Sequence, residues 1–434
     1  MDTPICDFVR KYAESGTLRL HMPGHKGAGP LGFEHLDITE ISGADSLYEA
    51  EGIISQSEAN ASSLFGCPTF YSTEGSSQCI RAMVYLAMLD AKAKGQKFRI
   101  AAARNAHKTF LSAAALTDAD VVWLYPQAVE SYLSCTVTPG DVEALKDVTA
   151  LYLTSPDYLG NMADIGAISE ICRKKGILLL VDNAHGAYLR FLEPSLHPMD
   201  LGADLCCDSA HKTLPVLTGG AYLHIRDEAL AKNAKDALAL FGSTSPSYLI
   251  LQSLDAANRY LHGGYGEALA EAAHATEGCK IRLNAHGYCF AGKEPMKLTI
   301  KAKTYGYTGT ELAQLLREKG IECEFADPDF LVLMPAVGTE LAALENALCN
   351  IPQRPEVTEL SPALCRPERI LSIREAMFAP SEVIPVTESE GRILSAATVG
   401  CPPAVPIVVC GERIDKAAIE AFQYYGIETC RVCK

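Results

Sequence analysis

From about residue 60 the apolar positions keep changing period. In "GSSQCIRAMVYLAMLDAKAKG" (75–95) they recur three and four apart, which predicts a long amphipathic helix stopped by glycine. "FRIAAA" (98–103) is a short apolar run and predicts a strand. "AHKTFLSAAALT" (106–117) returns to helical spacing, and "ADVVWLYP" (119–126) to a strand that ends at proline. The alternation continues as a short helix in "DVEALKD" (141–147), a strand in "TALYLTSP" (149–156), a helix in "DIGAISEICRKKG" (164–176) and a strand running into a loop in "ILLLVDNAHG" (177–186). "ADLCCDSAHKT" (203–213) and "GGAYLHI" (219–225) predict two further strands. Apolar strands separated by helices are buried on both faces, so the expected fold class is α/β with a mostly parallel sheet. Ligands of such sheets bind beyond the C-terminal strand ends.

After a helical stretch near 247–284, "MKLTIKA" (296–302), "TGTELAQLLREKG" (308–320) and "DFLVLMPA" (329–336) read as strand, helix and strand of a second, smaller α/β unit. A helix-rich segment is expected after "RPERILSIREAMFAPSE" (366–382). "RLHMPGHKGAGPLG" (19–32) holds too much glycine and proline for an element and reads as a loop. The expected organisation is an N-terminal segment over 1–35, a large domain over 36–285 and a small C-terminal domain over 286–434, with no internal repeat.

Composition narrows the function. At 434 residues and 48% hydrophobic the chain can fill large cores, and 38 basic against 53 acidic residues leave a charge of −15. That balance argues against a nucleic-acid or anionic-membrane surface and points to a small, preferably cationic partner. The N-terminus has no basic region followed by an apolar core, and no stretch of eighteen apolar residues occurs, so a cytoplasmic location is expected. Sixteen scattered cysteines read as reduced core residues. Cys430 and Cys433 form a CxxC with no second CxxC to complete a zinc site and read as incidental thiols. Adjacent Cys206 and Cys207 should point to opposite faces of a strand and serve packing.

Four stretches fall where the sheet would bring their ends together: "STEGSSQ", "RNAHKTF", "VDNAHGAY" and "DSAHKT". Gly75, Ser76 and Ser77 open the long helix, where unpaired amides, the dipole and two hydroxyls suit a phosphate; alone they equally make an ordinary cap. Asp182 ends an apolar strand, and a carboxylate buried there wants a cationic partner. Asp182 with His185 lacks a third metal ligand at convincing spacing, so no metal is expected; Asp182 alone also serves as a cap. Lys212 follows Ser209 and His211 at the end of another predicted strand, and a lysine there either snorkels or acts as a nucleophile toward an aldehyde. His107 at a strand end can stack on one face of a pyridine ring while Ala184 packs on the other. A Schiff-base lysine, an acid for the pyridinium nitrogen and a phosphate cup together describe a site for pyridoxal 5′-phosphate.

With these residues in view the chain resembles the Orn/Lys/Arg decarboxylases, pyridoxal-phosphate enzymes of the aspartate-aminotransferase fold. The matching stretches are "HMPGHKG" (21–27), "DITEISGADSLYEAEG" (37–52), "RNAHKT" (104–109), "VDNAHGA" (181–187), "SAHKTLPVLTGG" (209–220), "STSPSYLILQSLD" (243–255), "APSEVIPVTESEGRI" and "PPAVPIVVCGERI". They span nearly the whole chain in family order. The resemblance implies fold type I, a mostly parallel sheet of the seven-stranded type with a smaller C-terminal α/β domain. It implies the short form without the N-terminal receiver-like domain. By it Lys212 is the Schiff-base lysine, Asp182 the pyridinium partner and His107 the stacking residue, with Ser76, Ser77, Ser209 and His211 on the phosphate. Ser243 and Thr244 would approach the phosphate of a neighbouring subunit, making a homodimer with shared sites, or a higher oligomer.

The implied reaction is decarboxylation of arginine, lysine or ornithine to the amine, a step of polyamine metabolism, with Lys212 or His185 returning a proton to Cα. Candidate partners for the substrate's distal cation are Asp45, Glu51 and Glu412, each an ordinary carboxylate otherwise. Asn183 (often Glu in the family), "EAEG" (for His-Pro-Glu-Gly), Gln78 (for a small residue) and "CPPA" at 401–404 (for a Tyr-Pro-Pro-Gly type turn) depart from the family pattern and bear on the substrate pocket. An aminotransferase or aldolase of the same fold, or an inactive cofactor-binding homologue, are the alternatives. The former usually keep an arginine clamp for the α-carboxylate, and none is identified.

Overall fold

The computed structural model describes residues 1–126, 131–397 and 404–434. The element order begins α1 (Pro4–Glu14), α2 (Ile53–Phe65), β1 (Thr69–Ser72), α3 (Ser76–Ala93), β2 (Arg99–Ala103), α4 (Lys108–Thr117), β3 (Asp120–Leu124), α5 (Pro139–Glu143), β4 (Ala150–Thr154), α6 (Ile165–Lys175), β5 (Leu178–Asp182), β6 (Leu205–Asp208), α7 (Ala210–Thr213) and β7 (Ala221–Ile225). The seven strands form one sheet in the order β1-β7-β6-β5-β4-β2-β3. β2 runs parallel to β3 and β5 to β6, while β7 is antiparallel to both its neighbours, β6 and β1. The expected mostly parallel α/β fold is therefore present. The runs that predicted the strands are buried because helices cover both faces of such a sheet.

Two compact units divide the chain, one of 1–98, 149–151 and 165–267, the other of 99–148, 152–164 and 268–434. The first carries β1 and β5 to β7 and continues into helices Tyr248–His262 and Tyr265–Ala285, the latter passing into the second unit. In the second, β8 (Phe290–Ala291), β9 (Leu298–Lys301), β10 (Phe325–Ala326) and β11 (Phe330–Leu333) make an antiparallel sheet in the order β10-β11-β9-β8. Helices Gly309–Arg317 and Leu341–Cys349 pack on a core that includes Tyr288, Leu298, Ile300, Leu316 and Leu331.

Two expectations need correction. The strand predicted over 203–213 stops at Asp208, and the chain turns into the single-turn helix α7. Lys212 thus stands on a helical turn rather than a strand end; the Lys212 N–H donates to Ser209 O at 3.0 Å, which an extended chain could not do. The segment after 366 is not helix-rich among the described residues. It holds the short helix Ile373–Phe378, β12 (Ser381–Pro385) paired with β13 (Thr429–Cys433), and the helix Lys416–Tyr424. Pro380 and Pro385 interrupt the helical spacing there. On β13 the alternation turns Cys430 inward, 3% exposed, and Cys433 to the other face, so the CxxC forms no chelate. No helix among the described residues is long and apolar enough to cross a membrane.

Candidate active site

The strand directions place three chain ends together. β1 is antiparallel to β7, which is antiparallel to β6, which is parallel to β5, so β1, β5 and β6 finish at one edge. Beyond β1 the chain enters α3 through Gly75, whose φ of +71° is a conformation that residues with a Cβ seldom adopt. The Gly75 N–H donates to Gly219 O at 2.7 Å, so Gly75 shapes the helix entrance while its amide is committed to the backbone. Ser76 is the first residue of the eighteen-residue α3, and Ser209, the residue before α7, donates its hydroxyl to Ser76 Oγ at 2.7 Å. The entrance to α3 and the end of β6 thus meet in a pair of hydroxyls, with Ser77 following in the first turn of α3. His211 Nδ1 donates to Gly220 O at 3.0 Å, which fixes its ring and tautomer.

Asp182 ends β5, 2% exposed and in register with Cys207 of β6. Its Oδ1 accepts the Ala184 N–H at 3.2 Å and lies 3.7 Å from Cys207 Sγ. Burial pushes the Cys207 thiol well above its ordinary pKa, so it stays a neutral donor. Lys212 is exposed in the single chain, and its Nζ lies 3.0 Å from Nε2 of buried His185. The predicted set Ser76, Asp182, Ala184, His185, Ser209, His211 and Lys212 is therefore assembled within one compact unit.

His107 belongs to the second unit. It follows β2, is half-buried, and caps α4, its Nδ1 accepting the Thr109 N–H at 3.2 Å. Ser243 and Thr244 are exposed in the single chain, and the Ser243 N–H donates to the Glu74 carboxylate.

The carboxylates proposed for the substrate's distal cation fare differently. Asp45 is 9% exposed and its Oδ2 accepts the N–H groups of Gly52 at 2.8 Å and Ile54 at 3.0 Å, so it caps α2. Glu412 is 2% exposed and faces Arg104 Nη2 at 3.0 Å, while Arg104 also donates to Pro406 O and Ile407 O and the Val409 N–H reaches Glu412 at 2.7 Å. Both are corrected from substrate anions to internal partners; Glu51 is exposed. Gln78 is likewise structural: its amide donates to Tyr48 Oη at 2.7 Å and Leu238 O at 2.8 Å and accepts from Ser72. Asn183 points its amide at Asp208, 2.7 Å away. The departures at 78 and 183 therefore alter buried supports, while Cys401, Pro402 and Pro403 lie outside the described residues.

The residues that motif reading passed over are Asp208, His197 and His224. All are 0% exposed, with both Nε2 atoms 3.1 Å from Asp208 Oδ2. The signal available was a histidine inside the apolar strand "AYLHI" and an aspartate at the end of "LCCD".

A lysine, a strand-end aspartate and a hydroxyl-lined helix start thus gather at the carboxyl strand ends of an α/β sheet, where ligands of such folds generally bind. The family described as Orn/Lys/Arg decarboxylase, major domain, matches residues 3–286, and its C-terminal domain matches 367–429. The chain belongs to the Orn/Lys/Arg decarboxylase family, and with it to the decarboxylases. It is 30% identical to an arginine decarboxylase of Halalkalibacterium halodurans, across 96% of this chain and 91% of that one. It is also 30% identical to an arginine decarboxylase of Bacillus subtilis, across 96% and 92%. In fold it resembles the Francisella novicida lysine decarboxylase, with a TM-score of 0.80 at 16% identity over 100% of this chain and 81% of that one.

Proposed function

We propose that this chain decarboxylates a basic amino acid, arginine, lysine or ornithine, using pyridoxal 5′-phosphate, and that the amine formed enters polyamine metabolism in the cytoplasm. The observation that carries the reading is the assembly at one sheet edge of Lys212 Nζ beside His185 Nε2, buried Asp182, and the Ser76–Ser209 hydroxyl pair. These residues fit the cofactor chemically: an amine for its aldehyde, an anion for its ring nitrogen, and hydroxyls at a long helix start for its phosphate. Ser76, Ser77, Ser209 and His211 would hold the phosphate and Lys212 the aldehyde carbon, with Ala184 on one face of the ring.

Pyridoxal phosphate, when bound, supplies an electron sink for the pair released as the carboxylate leaves Cα. Asp182, buried at the strand end, would set its carboxylate against the cofactor's ring nitrogen. Lys212 Nζ and His185 Nε2 are adjacent, so either can deliver a proton to the substrate carbon once carbon dioxide has gone. Glu51, exposed on the segment that follows the "PGHKG" loop, remains the candidate anion for the distal cation. The exposure of Lys212, Ser243 and Thr244 in the single chain supports a homodimer with shared sites.

The assay incubates the chain with pyridoxal phosphate and each basic amino acid while carbon dioxide and products are followed. Carbon dioxide with the matching amine is expected for one of them. A keto acid would indicate an aminotransferase, and no turnover on any would indicate an inactive homologue.

A further inference from the structure

Asp208 occupies the last position of β6, immediately before Ser209 and the Lys212 turn. It is 0% exposed, and its carboxylate accepts from Asn183 Nδ2 at 2.7 Å and faces His197 Nε2 and His224 Nε2, each at 3.1 Å. A backbone donor fixes the tautomer of one of the two histidines. His197 Nδ1 accepts the Met199 N–H at 3.3 Å, so its ring proton is on Nε2 and points at Asp208. Thr69 Oγ1 lies 3.0 Å from Cys67 O and 2.9 Å from His224 Nδ1, tying the second histidine to β1. His224 Nε2 faces Asp208 Oδ2, and burial pulls the His224 pKa below the ordinary imidazole value. The cluster is fully buried and walled by Phe65, whose ring centroid is 4.5 Å from that of His224. Burial alone would raise the Asp208 pKa, but His197 and His224 more than offset it and hold the group well below the carboxylate range.

A buried, mutually paired cluster of this kind resists displacement, because moving one member leaves the others with unsatisfied polar groups. Cys206 Sγ also lies 3.8 Å from Asp208 Oδ1, and a further arm is Asn183, which sits between Asp182 and Ala184. The Asn183 N–H donates to Cys207 O at 3.0 Å, and the Gly186 N–H donates to Asn183 O at 2.8 Å. A Cβ at Gly186 would come within 2.1 Å of Asn183 Oδ1, so the turn closes tightly on that amide. We infer that Asn183, held by the Asp208–His197–His224 cluster, is a positioning residue that sets the Asp182–Ala184–His185 turn against the cofactor. The inference rests on the cofactor reading above and adds buried supports to it. A metal among Asp208, His197 and His224 is disfavoured by His197, since a ligating imidazole ordinarily donates its second ring N–H, whereas this one accepts from Met199.

The test compares wild type with Asn183→Ala, which removes the amide while leaving Asp208 both histidines. Asn183→Ser, with a shorter donor, stands in should the alanine variant fail to fold. In wild type, borohydride should fix the cofactor on Lys212. The variant is expected to keep that attachment and to melt within a few degrees of wild type. Its kcat should fall about tenfold to a hundredfold, with a smaller change in KM and a displaced pH midpoint of the cofactor's visible band. An unchanged kcat and band midpoint in a folded variant would overturn the inference. So would stoichiometric zinc or iron in the purified wild-type protein. A wild type that takes up no cofactor would overturn the underlying reading and this inference together.

Discussion

The turn that carries Lys212 and the segment that carries Glu412 make an instructive pair. Both hold motif residues of the family, yet Lys212 is exposed at the sheet edge with its amine beside His185, whereas Glu412 is sealed against Arg104. A carboxylate near a motif is closed to ligand chemistry when groups of the same fold already claim its oxygens. Arg104 and the Val409 N–H both claim Glu412, and a carboxylate so held contributes to the fold rather than to substrate binding.

Substitutions can break or sharpen that contrast. Lys212→Ala should have the largest functional effect, removing turnover and the visible band while stability stays within about 0.5 kcal/mol, as for an exposed position; spectra and urea unfolding check both. Glu412→Ala should do the reverse. Leaving Arg104 buried and unpaired costs about 3–5 kcal/mol in urea unfolding, and the surviving folded protein should keep its KM. A raised KM with intact stability would return Glu412 to the substrate site. Asp45→Ala should lose about 1–2 kcal/mol through the helix cap, again with KM unchanged.

The smallest effect is one of pH. Burial raises Asp327 to about 6 from the ordinary 3.8, above its unfolded value, so the protonated form is the one favoured by folding. Its support is full below about pH 3.8 and lost as pH rises through about 6. Asp327→Asn, which keeps an oxygen for the Asp329 and Phe330 N–H groups, should therefore gain stability at pH 8 and little at pH 4. Melting temperatures at the two pH values measure the difference. Asp208 has the opposite sign: its depressed pKa gives stability present above pH 4 and lost as pH falls below it.

Much of this was legible in the chain because sheet burial writes itself as apolar runs: β2 to β7 each coincide with one. β1 was not, since "TFYS" is four residues with one apolar pair. The turn of α7 was missed because Ala210, His211, Lys212 and Thr213 show neither period clearly. The positions proposed for the cofactor site were read from strand ends and a helix start, which local pattern locates. The partners of Asp45, Glu412 and Asp208 were not, because Arg104 lies 308 residues from Glu412 and His224 sixteen from Asp208, on a neighbouring strand. Nothing local in the sequence distinguishes a carboxylate awaiting a ligand from one already claimed.

The most direct measurement incubates the intact protein with pyridoxal phosphate, reduces it with borohydride, digests it and maps the labelled peptide. The account predicts one label per chain, on Lys212. A label on another lysine, or none, would contradict it.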